Sequence, residues 1–170
     1  LRVDSTDDDA LIGRLITAAR EACEAEARRA FVTRTYELRL PFFPNADGFE
    51  LPMPPLVAVE SIKYTKSDGT VGTVTATDYL CYVGVEPGLL VLKLTAQWPN
   101  VELMRGPSVV IRYTAGYGAA NLVPAAYRQA TLLVVGHLYE NREAVVIGAT
   151  ANELPQAVRS LLSMDRVSWW

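Results

Sequence analysis

The sequence predicts an α+β fold: a helical body of a long N-terminal helix, a buried central helix and a short C-terminal helix, with a β-rich antiparallel insertion between the first two. Three observations carry this. Apolar residues recur at helical spacing towards both ends of the chain, period-two alternation and turn sequences fill the middle, and the period changes near residue 32 and again near residue 119. The expected organisation is a single domain over 1–170, with 1–32 and 119–170 as the helical body and 33–118 as the insertion.

From Asp9 to Phe31, Leu11, Ile12, Leu15, Ile16, Ala19, Ala22, Cys23, Ala27 and Ala30 recur at three and four, while Arg14, Arg20, Glu24 and Arg28 take the other face. This predicts an amphipathic helix of roughly six turns. Ser5, Thr6, Asp7, Asp8 and Asp9 mark its start, because such side chains accept from free amide groups and complement the positive end of the helix dipole. A calcium loop would need spaced oxygen ligands and a central glycine, which this run lacks.

Thr33 to Leu40 alternates as a half-buried strand does, with Tyr36, Leu38 and Leu40 on one side and Thr35, Glu37 and Arg39 on the other. Pro41 to Pro55 follows with five prolines, Asn45, Asp47 and Gly48, which excludes regular helix. Strands are then expected at Leu56–Thr65, Thr70–Thr75, Tyr79–Val83, Leu89–Leu94 and Ser108–Thr114, divided by Ser67-Asp68-Gly69, Glu86-Pro87-Gly88 and Trp98-Pro99-Asn100. Together they predict a small antiparallel sheet, ended by Ala115-Gly116-Tyr117-Gly118, where two glycines tolerate positive φ.

Pro124 suits the first turn of a second helix, Ala125 to Glu143, whose centre is apolar on nearly every face. Such a helix requires cover all round. A domain of this size barely encloses one, so part of the surface is expected to meet another subunit, with Leu132, Leu133, Val135 and Leu138 as the candidate contacts. Ala144 to Glu153 reads as a loop of small residues, Pro155 to Met164 as a short last helix carrying Val158, Leu161 and Leu162, and the chain ends on Trp169-Trp170. Two large aromatics at a chain end are costly unless covered; Trp is enriched at interface hot spots, and packing back onto the same subunit would cover them equally well.

The composition narrows the function. Lys and Arg number 16 against 19 Asp and Glu, a net charge of -3, which gives no global field to attract nucleic acid. Arg28, Arg29 and Arg34 are the nearest approach to a basic cluster and read as a solvated helix end. The longest apolar run at helical spacing, Gln129 to Tyr139, is about half of a membrane span. Cys23 and Cys81 form no CxxC and have no histidine nearby to complete a zinc site, so they read as small buried hydrophobes in a reduced compartment. Leu1 in place of Met is expected of a trimmed start, and no signal peptide follows it.

No catalytic, cofactor-binding or metal-ligating residue is assigned. His137 is the one histidine, on the most apolar helix, with no evident acid or base partner, and it reads as a satisfied core or interface residue. No Gly-x-Ser-x-Gly or Ser-x-x-Lys positions a nucleophile. Gly116-Tyr117-Gly118 lacks the third glycine and the Lys-Ser/Thr of a phosphate loop, which leaves a turn between strand and helix.

Several short patterns occur in an order that resembles one family. They are Thr6-Asp7-Asp8-Asp9-Ala10-Leu11 before Ala18-Ala19-Arg20, Thr33-Arg34-Thr35-Tyr36, Leu51-Pro52-Met53-Pro54-Pro55-Leu56, Tyr113 to Gly118, Val123-Pro124 and His137-Leu138-Tyr139-Glu140-Asn141-Arg142-Glu143. In that order they resemble the head-tail connector (adaptor) proteins of long-tailed phages, also found in prophages and gene transfer agents. The resemblance implies a ring of about twelve subunits in the neck of a particle, made in the bacterial cytoplasm. One face would dock on the portal and the other on a tail or neck (stopper) protein, with DNA as passing cargo and no membrane. The C-terminal segment, with Leu161, Leu162, Val167, Trp169 and Trp170, would reach the portal, and the β-rich insertion is the part that varies between members. A monomeric β-rich module holding a ligand or peptide in its Pro-rich loop or hairpin tips is the competing reading. An enzyme would need a pocket gathering His137 or several carboxylates.

Overall fold

The computed structural model describes residues 7–45, 47–140 and 156–163. Helix α1 spans Asp9–Ala27, strand β1 Arg34–Leu40, β2 Phe49–Leu51, β3 Leu56–Thr65, β4 Val71–Thr73, β5 Tyr79–Tyr82, β6 Gly88–Leu92 and β7 Val109–Ala115. A 3-10 turn at Ala120–Leu122 leads into helix α2, Ala125–Glu140, and helix α3 is Gln156–Ser163. The expected loop at 144–153 lies outside the described residues.

Helix α1 ends four residues earlier than its apolar spacing predicts. Arg28 takes the left-handed conformation (φ 54°) and Arg29 N–H donates to the Glu24 carbonyl at 3.1 Å, which closes the helix. That conformation costs a residue with a Cβ about 1 kcal/mol, and glycine adopts it freely. Arg28→Gly is therefore expected to raise stability by about 1 kcal/mol in denaturant unfolding. The helix starts at Asp9 as expected, but not with the side-chain cap its acidic run implied. The Asp8 side chain does not cap α1. It accepts from the Tyr139 hydroxyl at 2.6 Å, tying the N-terminus of α1 to the last turn of α2.

The insertion holds two sheets instead of one. A four-stranded sheet has the order β1-β7-β3-β4 and a three-stranded sheet the order β2-β6-β5, with every pairing antiparallel. Strand β7 runs between β1, with Tyr36 opposite Tyr113, and β3, with Ile62 opposite Ile111. Alternate residues of β7, Val109, Ile111, Tyr113 and Ala115, point into a core that also takes Leu56 and Ile62 of β3 and Leu51, Tyr79 and Leu90 of the second sheet. The second sheet exists because Phe49–Leu51 pairs with β6. Its three residues sit inside the proline-rich stretch, as an edge strand that ends at Pro52, so they leave almost no alternation to read.

The helices share a separate core of Ala19, Cys23, Ala27, Phe31, Tyr127, Ala130, Val134, Val158 and Leu162. Phe31 stacks on Tyr127 with ring centroids 4.7 Å apart. The body and the insertion meet through loops. Ala30 N–H donates to the Pro54 carbonyl (3.0 Å), Gly116 N–H to Pro55 (2.9 Å) and Tyr117 N–H to Phe31 (3.0 Å). Gly116 has φ +131°, and a Cβ there would lie 2.6 Å from the Thr33 backbone, so only glycine lets the two segments come this close.

Candidate assembly surfaces

Helix α2 is not covered all round. Tyr127, Ala130, Val134 and Val135 are buried, one face of a 3.6-residue period, whereas Leu132 remains 60% and Leu133 40% exposed. The four residues expected to contact a neighbouring subunit therefore divide. Leu132 and Leu133 are presented to the outside, Val135 is enclosed in the helical core, and Leu138 packs against that core, half-buried. One fold places adjacent leucines outward and a valine inward because α1 and α3 dock on one side of α2 only.

His137 lies exposed on α2, not in the core. Cys23 is fully buried and Cys81 half-buried, both as free thiols, and burial pushes both thiols up from their ordinary range. Among the described residues no group of three or more His, Cys, Asp or Glu could hold a metal ion, and no described helix is long and apolar enough to cross a membrane.

The expected basic cluster at the end of α1 is largely an internal clamp. Arg29 is 5% exposed, pairs with Glu86 at 2.6 Å and donates to the Tyr117 hydroxyl at 3.1 Å. Burial opposes its charge, and the hydrogen bond to Glu86 offsets that and holds its pKa above the ordinary arginine value. This replaces the expectation of a solvated helix end for Arg29. The spacing of Arg28 and Arg29 could not show that a turn at Arg28 swings the next guanidinium inward, towards the loop between β5 and β6. Arg34 joins a second clamp. Glu24, 1% exposed, accepts from Phe31 N–H at 2.7 Å through Oε1, and Arg34 Nη2 lies 3.0 Å from its Oε2, an ion pair without hydrogen-bond alignment. Arg34 also donates to the Tyr36 hydroxyl at 2.7 Å.

The outer face of the four-stranded sheet carries a cluster of paired charges. Arg112 lies between Glu60 (2.8 Å) and Glu37 (3.4 Å), and Arg39 reaches Glu37 at 3.2 Å. Hydrogen bonds from Thr114 and Arg112 hold the Glu60 carboxyl below its ordinary range. On β5 of the three-stranded sheet the exposed residues are apolar: Leu80 and Tyr82, with Val83 and Val85 in the loop that follows, are each between 42% and 48% exposed. Sequence reasoning did not single out this patch, because strand alternation shows which residues share a face but not which face is covered.

Among the C-terminal residues expected at a partner, Leu162 is buried in the helical core and Leu161 packs against it, half-buried. Val167, Trp169 and Trp170 lie outside the described residues.

No protein-family model and no curated protein sequence matches the chain. Solved structures do. A chain in the neck of an empty gene transfer agent (GTA) particle computed with C6 symmetry shares 25% identity over all of this chain and 84% of its own length, with a TM-score of 0.77. A chain in the virion of a native GTA particle matches all of this chain and 86% of its own at 24% identity and a TM-score of 0.77. A third, in the neck of a native GTA particle computed with C12 symmetry, matches 95% of this chain and 84% of its own at 24% identity and a TM-score of 0.75. A full-length match of helical body and β-rich insertion together makes this the fold of a structural component of phage-like particles. Over its whole length the chain is similar to chains found in the necks of gene transfer agent particles, and it shares their fold.

Proposed function

We propose that the chain is a head-tail connector subunit. It forms a ring of about twelve copies in a particle neck, docked on a portal protein on one side and on a tail or neck (stopper) protein on the other. The observation that carries this reading is the match of the whole chain to a GTA neck chain, insertion included. The outward Leu132 and Leu133 support the ring, since a monomer gains nothing by holding two adjacent leucines in water.

DNA passes through the bore as cargo. A wall for moving DNA works best with few fixed cations, because every phosphate contact adds sequence-independent affinity that would hold the strand. The net charge of -3 and the carboxylate partners of Arg29, Arg34, Arg39 and Arg112 are consistent with a weak grip.

The C-terminal segment is the portal contact in this reading, with Trp169 and Trp170 as anchors. Ending the chain after Met164 keeps all of α3, so the shortened protein is expected to fold. It should yield heads that lose tails or genome, counted by electron microscopy and by transfer titre. Wild-type titres from that variant would remove the segment from the portal contact.

A further inference from the structure

A groove of about 430 Å³ opens between α1 and α2. Phe31, Val32 and Val123 line it, with Ile16 of α1 and Leu132 of α2 beside them. Ile16 is 46% and Leu132 60% exposed, and Leu122, on the adjoining 3-10 turn, is 61% exposed, so the apolar surface continues beyond the groove. Among the described residues two charged side chains line it, Arg20 and Arg128, and no carboxylate does. Neither arginine is well used within the described residues. The Arg20 Nε is buried without a hydrogen-bond partner there, and its guanidinium reaches the exposed Glu21 only at 3.6 Å. Arg128 makes no ion pair with a described residue. An apolar trough with two under-used guanidinium groups is complementary to an apolar element that carries a carboxylate.

We infer that this groove is the acceptor half of the subunit interface, filled by a second copy of this chain whose apolar side chains flank an Asp or Glu paired with Arg20 or Arg128. The inference rests on the ring proposed above. A closed ring uses heterologous contacts, in which one face of each subunit meets a different face of the next, so acceptor and donor chemistry differ. The charge balance fits this arrangement. The chain carries 19 acids against 16 bases, yet the charged groups of the groove among the described residues are both bases, so a second copy has carboxylates elsewhere on its surface to offer them. The neck structures it resembles were computed with C6 and C12 symmetry, as repeated copies around an axis require.

The test combines a map of the wild-type neck with the double variant Arg20→Glu/Arg128→Glu, its fold checked by thermal unfolding and its copies per particle counted by quantitative mass spectrometry. The expected map shows an Asp or Glu of the next copy within hydrogen-bond distance of Arg20 or Arg128. The folded double variant is expected to load at least about tenfold fewer copies. A ring whose groove is empty, or filled by the same chain or by another protein, overturns the inference and leaves the connector reading standing, as does full loading of the double variant. A neck that holds no ring of this chain overturns both.

Discussion

Leu133→Asp should leave the isolated chain folded and remove it from particles. Leu133 is 40% exposed on the side of α2 away from Tyr127, Ala130 and Val134, so a carboxylate there stays hydrated in the free subunit and its melting temperature should hold within a few degrees. Ring formation changes the balance. Covering Leu133 in a neighbour's surface contributes about 1–2 kcal/mol per interface, whereas covering an unpaired carboxylate costs several. The cost recurs at every contact around the ring, so closure fails as a whole. The measurements are melting temperature, copies of the chain per particle and transfer titre, with titre expected to fall at least about a hundredfold. Normal titres from a folded variant would exclude Leu133 from the interface.

Glu24→Ala is expected to be the most damaging single change to the fold itself. Its Oε1 holds the Phe31 amide at 2.7 Å, which sets the turn that seats Phe31 on Tyr127, and its Oε2 faces Arg34 at the start of β1. Alanine would leave the buried Phe31 N–H without an acceptor and take the carboxylate from a half-buried guanidinium that keeps only Tyr36, at a cost of roughly 3–5 kcal/mol. For a chain of this length that lowers the melting temperature by roughly 10 °C. Glu24→Gln keeps an oxygen for Phe31 and loses the charge opposite Arg34, so its loss should be smaller. Equal losses for the two variants would show that the ion pair, not the hydrogen bond to Phe31, carries the effect.

Both effects reflect where the sequence could and could not be read. Strand β3 matches its expected limits, Leu56–Thr65, because a turn at Ser67-Asp68-Gly69 and the proline run bound it on both sides. The β7-to-helix turn was legible because Gly116 and Gly118 both take positive φ there. The C-terminal end of α1 was not, since Ala30 and Phe31 continue the apolar spacing and the turn at Arg28 depends on Glu24 reaching forward to Phe31. The clamp between Arg29 and Glu86 joins residues distant in sequence and leaves no local pattern. Helix α2 shows the limit most directly. A segment apolar on every face announces burial, but its period cannot say which face the same chain covers, so Leu132 and Val135 looked alike until α1 and α3 were seen docked on one side.

Imaging the neck of the particle that contains this chain tests most directly whether it forms a ring with the outer face of α2 between subunits. The expected image shows a closed ring of this chain between head and tail, with Leu132 and Leu133 covered by the next copy. A neck built without it, or a ring in which both leucines face open solvent, would contradict that arrangement.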